Sequence, residues 1–127
     1  MNYSYLIDSS AWVEYFGGTS RGRKISDIIE NKVIATSIIS IAELADKAER
    51  EQQSLERILQ FIQSRAAILP LTVGLAIHAA RLKKRFRQQN PKFGLIDGIH
   101  LATAVEHQII LVTADHDFQG AENIILI

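Results

Sequence analysis

Cysteine is absent from the chain. That removes disulfides, iron–sulfur clusters and thiolate zinc sites. Long hydrophobic runs are also missing: none approaches the roughly 20 residues that a helix needs to cross a bilayer. The N-terminus, Met1-Asn2-Tyr3-Ser4, lacks the basic start of a signal peptide. A cytoplasmic protein with no membrane segment is therefore expected. Neither sign of charge is in excess, with 14 Lys and Arg against 14 Asp and Glu. The global footprint of a nucleic-acid binder is thus missing. No low-complexity linker and no internal repeat divides the 127 residues. One domain spanning 1–127 is expected, and 47% hydrophobic content can build its core.

What is present is an alternation of short apolar segments with helical ones. Residues 3–8 read as a buried strand. A helix follows from Ser9 or Ser10 to about Phe16, is broken by Gly17-Gly18, and is succeeded by another from Ser20 to Asn31. Strands are expected at 33–35, 66–69, 109–112 and 123–127. Ser37 caps a helix to about Gln52, and a further helix covers Ser54–Arg65. Thr72 caps one to about Gln89, and Leu95–His107 is the last, after the loop Asn90-Pro91-Lys92-Phe93-Gly94. Short apolar strands alternating with helices imply a three-layer α/β/α fold around a parallel sheet of four to five strands.

Within that frame four acids stand in awkward places. Asp8 ends the first apolar run, Glu43 lies in Ile38-Ile39-Ser40-Ile41-Ala42-Glu43-Leu44, and Asp97 interrupts Leu95-Ile96-Asp97-Gly98-Ile99. Asp115 follows Leu111-Val112-Thr113-Ala114. A carboxylate at a core boundary is costly unless something neutralises it. In an open parallel sheet the ligand cleft lies beyond the carboxyl ends of the strands. Asp8 and Asp115 follow strands, and Glu43 sits near the start of a helix that leaves that edge. Asp97 opens the helix that returns across the sheet to feed strand 109–112. All four are expected on one edge, where a hard cation with oxygen ligands would neutralise them. Each acid also has a simpler reading: a helix cap for Asp8, dipole stabilisation for Asp97, a turn for Asp115, and an i+4 pair with Lys47 for Glu43.

The assembled residues resemble the PIN domain, a metal-dependent ribonuclease fold, and within it the VapC-type toxins of toxin–antitoxin pairs. Four ordered segments carry the resemblance: Leu6-Ile7-Asp8-Ser9-Ser10-Ala11-Trp12, Ser37 to Leu44, Leu95 to Ala104, and Leu111-Val112-Thr113-Ala114-Asp115-His116-Asp117-Phe118. The resemblance implies that Asp8, Glu43, Asp97 and Asp115 form an acidic quartet, with Asp117 a variable additional acid. It implies supporting hydroxyls at Ser9 or Ser10 and at Thr113, a cognate antitoxin partner and a homodimer.

An all-carboxylate site suits Mg²⁺ or Mn²⁺. Asp8, Asp97 and Asp115 are expected to hold metal, and Glu43 to bind a second metal or orient the attacking water. The substrate implied is RNA. The basic residues Lys83, Lys84, Arg87 and Lys92 are candidates for gripping its backbone. His78, His100, His107 and His116 form no tight ligand pair and read as structural or surface residues. Trp12, Tyr15 and Phe16 at helical spacing read as core or interface. Two alternatives of other classes remain: a receiver-type phosphoacceptor domain with an acidic Mg²⁺ pocket, and a non-catalytic module that keeps the fold.

Overall fold

The computed structural model describes residues 2–127. Its elements are β1 (Tyr5–Ile7), α1 (Ser9–Phe16), α2 (Ser20–Arg23), α3 (Ser26–Asn31), β2 (Ile34–Ser37) and α4 (Ile38–Arg50). These are followed by α5 (Glu56–Arg65), β3 (Ala66–Leu69), α6 (Val73–Phe86), α7 (Leu95–His107), β4 (Ile110–Thr113), a 3₁₀ turn (His116–Phe118) and β5 (Ile124–Leu126). The five strands form one sheet in the order β3-β2-β1-β4-β5, and every pairing is parallel. The three-layer α/β/α fold with a parallel sheet is the architecture expected.

The strand order has a consequence for function. From β1 the chain builds outward through β2 and β3, then returns to the other flank of β1 for β4 and β5. The order therefore reverses between β1 and β4, and the ligand crevice of such a sheet opens at that switch point. The order also differs from the 2-1-3-4-5 arrangement of receiver-type domains. The phosphoacceptor alternative is thereby excluded on topology.

Side chains alternate across the strands and feed two cores. Leu6, Ala35, Leu69 and Leu111 face α6, α7, Phe93 and Phe118 on one side. Ile7, Ile34, Ala66 and Val112 face Trp12, Ile25, Ile29, Leu44 and Ile62 on the other. Trp12 is fully buried, stacks on Phe16 and meets Phe61 edge-on. Its indole N–H donates to Thr36 Oγ1 at 3.1 Å, and Thr36 donates to the Ile7 carbonyl at 2.6 Å. The aromatic group on α1 is therefore core, and it sets α1 against the sheet. On the opposite face α6 and α7 approach closely at Gly98, where a Cβ would lie 2.5 Å from the Ala79 carbonyl oxygen.

Several boundaries differ from the sequence expectation. β1 stops at Ile7, because Asp8 leaves the sheet to cap α1. The helix expected over 20–31 is two helices, α2 and α3, bent at Ile25 (φ −113°, ψ 5°), whose side chain is buried in the core. α6 ends at Phe86 rather than Gln89, and the 3₁₀ turn after β4 had no expected counterpart. Lys47 pairs with Glu51 instead of Glu43.

Candidate metal and catalytic centre

Asp8 is the N-cap of α1 and lies at the carboxyl end of β1. Its Oδ1 accepts from the Ala11 backbone N–H at 2.9 Å and from Ser10 Oγ at 2.7 Å. Its Oδ2 accepts from Thr113 Oγ1 at 2.6 Å. Thr113 ends β4, so this bond closes the switch point between the two central strands. The same hydroxyls organise the next segment: Ala114 N–H donates to Ser10 Oγ and Asp115 N–H to Thr113 Oγ1. Asp8 is only 3% exposed. Burial pushes its carboxyl up, and the charge of His100 with the three donors pulls it down only in part.

Glu43 projects from α4 and is 39% exposed. Its Oε1 takes two donors, Ser9 Oγ at 2.9 Å and His100 Nε2 at 2.8 Å. Burial alone would raise this carboxyl. The hydrogen bond and charge of His100, with the Ser9 hydroxyl, outweigh it and hold the group below its ordinary value.

Asp97 sits in the first turn of α7, and its Oδ2 accepts from the Gly94 backbone N–H at 2.7 Å. Asp115 caps the 3₁₀ turn by accepting from Asp117 N–H at 2.9 Å. Asp97, Asp115 and Asp117 each present an oxygen within 4.8 Å of the others. Asp97 is pushed up to about 6, first by burial and then by the charges of Asp115 and Asp117; the Gly94 N–H and the charge of His100 oppose the rise. Among the described residues no Arg or Lys nitrogen lies within 4.0 Å of Asp8, Asp97, Asp115 or Asp117. Three converging carboxylates without a cationic side chain are an oxygen donor set suited to a hard divalent cation.

Of the four expected acids the structure brings Asp97 and Asp115 together in one carboxylate cluster, and three residues change emphasis. Asp117, expected as an accessory acid, is one of the three mutually close carboxylates. Asp8, expected as a leading ligand, stands outside that trio with three of its four lone-pair sites engaged. His100, expected to be structural or at the surface, enters the site through Glu43. Only its place one turn after Asp97 on a helix of known polarity could have signalled this. Ser9 and Thr113 do donate to carboxylates, and Ser10 joins them.

The basic residues are less uniform. Arg87 Nε donates to the Phe93 carbonyl at 2.6 Å and so holds the loop that precedes Asp97. Lys84 and Lys92 are exposed, and Lys83 is half-buried. Between Lys83 and Lys92, Asn90 Nδ2 donates to the Asp117 carbonyl at 2.9 Å. Phe86, Gln89 and Asn90 line a cavity of about 390 Å³ with His116, Asp117 and Gln119. The loop between α6 and α7 therefore abuts the acidic trio.

Comparison with known proteins agrees with this fold. A family profile described as PIN domain matches residues 5–123. Among curated proteins none matches. Similar solved structures include a toxin–antitoxin complex from Klebsiella pneumoniae (TM-score 0.77, 24% identity, covering 96% of each chain). Another is VapBC2 from Rickettsia felis bound to a DNA fragment from its promoter (TM-score 0.73, 22% identity, covering 97% of this chain and 96% of that one). A third is Mycobacterium tuberculosis VapC20, described as a sarcin-ricin loop cleaving toxin (TM-score 0.71, 17% identity, covering 94% and 96%). At these identities the structural likeness establishes the fold.

Proposed function

The chain belongs to the PIN domain family, and from that premise we propose that it is a divalent-metal-dependent endoribonuclease, the toxin half of a VapC-type toxin–antitoxin pair. The observation that carries the reading is the trio Asp97, Asp115 and Asp117, gathered within 4.8 Å beside the switch point without a cationic side chain. These three would hold Mg²⁺ or Mn²⁺, and Asp8 Oδ2 keeps one lone-pair site without a protein donor among the described residues. A cation held there supplies charge neutralisation at the scissile phosphate and lowers the pKa of a water.

The chain's own residues do the rest. Thr113 and Ser10 fix Asp8 by donating to both of its oxygens, which opposes the rise that burial imposes on its carboxyl. Among the described residues nothing donates to Glu43 Oε2, so that it can accept a hydrogen bond from the attacking water and orient it. Lys83, Lys84 and Lys92 contact the RNA backbone, while Arg87 orders the loop between them and the site. Water attacks, not the ribose 2′-hydroxyl, so the products carry a 5′-phosphate and a 3′-hydroxyl.

Partners follow from the same reading. The neighbours in complex with antitoxins and promoter DNA support a cognate antitoxin. Exposed Ile38, Val73, Leu95 and Ile96, at the starts of α4, α6 and α7, supply apolar surface for a second copy. No helix among the described residues is long and apolar enough to cross a membrane.

The test is incubation of labelled RNA with the protein in Mg²⁺ and in EDTA, beside Asp8→Asn. Cleavage that needs the cation and disappears in the variant supports the reading. A 2′,3′-cyclic phosphate terminus, or cleavage indifferent to EDTA, overturns it. A small DNA-binding protein encoded beside this gene, and inhibiting the cleavage, would identify the antitoxin.

A further inference from the structure

Glu43 is the one acid of the site whose orientation depends on another side chain's ring. Its side chain is long and 39% exposed, so left alone it would sample several rotamers in water. Two donors prevent this, and both bind the same oxygen, Oε1: Ser9 Oγ at 2.9 Å and His100 Nε2 at 2.8 Å. Among the described residues nothing donates to Oε2.

The ring of His100 is itself held from behind. Ser37, the N-cap of α4, accepts the Ser40 backbone N–H on its hydroxyl oxygen at 3.1 Å. Its own hydrogen is then available to His100 Nδ1, at 3.3 Å. The alternative acceptor, Ser40 Oγ, stands farther away at 3.5 Å. With Nδ1 accepting, the neutral ring carries its proton on Nε2 and donates it to Glu43; the protonated ring, whose charge acts on Glu43, donates from Nε2 as well. The chain of donors runs from the start of α4, through α7, and back to the second turn of α4. His100 lies one turn beyond Asp97, so the same contact sets Glu43 relative to the helix that carries Asp97. The His100 side chain is only 4% exposed. It has no access to a phosphate, and any role it has in the reaction is exerted through Glu43.

We propose that His100, backed by Ser37, is a positioning residue that locks the Glu43 carboxylate with Oε1 engaged and Oε2 directed to the reacting water. This rests on the nuclease reading for its consequence in catalysis, but the contact itself can be tested without it.

The decisive pair of variants is His100→Asn and His100→Gln. The amide of asparagine reaches the Nδ1 position, retaining the Ser37 partner and losing the donor to Glu43. The amide of glutamine reaches the Nε2 position and restores that donor. With both variants folded by thermal melting, His100→Asn is expected to lose about 10- to 100-fold in kcat with KM nearly unchanged, the range seen when a residue that orients a site carboxylate is removed. His100→Gln is expected to recover most of that loss. Equal kcat in the two variants overturns the proposal. A second measurement needs no cleavage: ¹⁵N chemical shifts of the His100 ring in the metal-free wild type. A protonated Nε2, with its shift changed in Glu43→Gln, supports the proposal, and a bare Nε2 overturns it. If the wild type cuts no RNA, the proposed function fails, and the ring shifts still decide whether His100 holds Glu43.

Discussion

Asp8 and Glu43 are surrounded by donors, whereas Asp97, Asp115 and Asp117 are surrounded mainly by one another. Both groups occupy the same edge of the sheet. Asp8 takes hydrogen bonds from Ala11, Ser10 and Thr113, and Glu43 from Ser9 and His100. Among the described residues the trio receives only the backbone N–H groups of Gly94 and Asp117. The difference teaches a division of labour. The first group is held by protein donors and ties β1 to β4 and α4 to α7. The second gathers like charge with no cationic side chain beside it among the described residues, a donor set suited to a hard divalent cation.

The largest effect expected from breaking this contrast is on activity. Asp115→Asn and Asp97→Asn should each reduce RNA cleavage by about three orders of magnitude, ~4 kcal/mol of transition-state stabilisation. The same variants should melt at a higher temperature than the wild type in EDTA, because repulsion within the trio is relieved. A lower melting temperature for both would show that the acids hold the fold together rather than strain it.

Asp8→Ala should behave in the opposite way. It leaves the α1 cap, Ser10 and the buried Thr113 hydroxyl without their acceptor, at a cost of about 2–4 kcal/mol in urea unfolding. A variant as stable as the wild type would remove Asp8 from the structural group.

The next effect belongs to the cation itself. Mg²⁺ at about 100 times its dissociation constant should stabilise the wild type by about 2.7 kcal/mol, read as a rise in melting temperature. Asp8→Asn should retain part of this rise and Asp115→Asn should lose it. Equal shifts in the two variants would merge the groups.

The smallest effect is in pH, and its sign differs between Asp97 and Glu43. Asp97 rises from 3.8 unfolded to about 6 folded. Between those values the folded chain holds a proton that the unfolded chain has released, so this residue makes metal-free stability fall as pH rises through that window. Glu43 is held below its ordinary 4.5. Its contribution is present above that value and lost as pH falls through the lowered one. Melting curves across this range should lose the first slope in Asp97→Asn and the second in Glu43→Gln.

Much of the edge was legible beforehand because each acid followed an apolar strand or opened a helix of known direction. Asp8, Glu43, Asp97 and Asp115 could be placed by chain direction alone. The rank of Asp117 could not, because it depends on the 3₁₀ turn at His116–Phe118 that swings its carboxylate beside Asp115. His100 was hidden for another reason. A histidine among Ile99, Leu101 and Ala102 looks like core packing, and its partner Glu43 is 57 residues away. The bend at Ile25 has no Gly or Pro at that position, and it places the Ile25 side chain in the core.

The alternating pattern of apolar strands and helices, together with the lack of cysteine, determined the layered parallel fold and the oxygen chemistry of its edge. These are local properties: side-chain period, capping chemistry and the ligands available. The strand order, the trio within 4.8 Å and the Ser37–His100–Glu43 relay were decided only when the chain closed on itself. Each depends on side chains distant in sequence meeting at hydrogen-bond or coordination distance, and no local preference encodes that meeting.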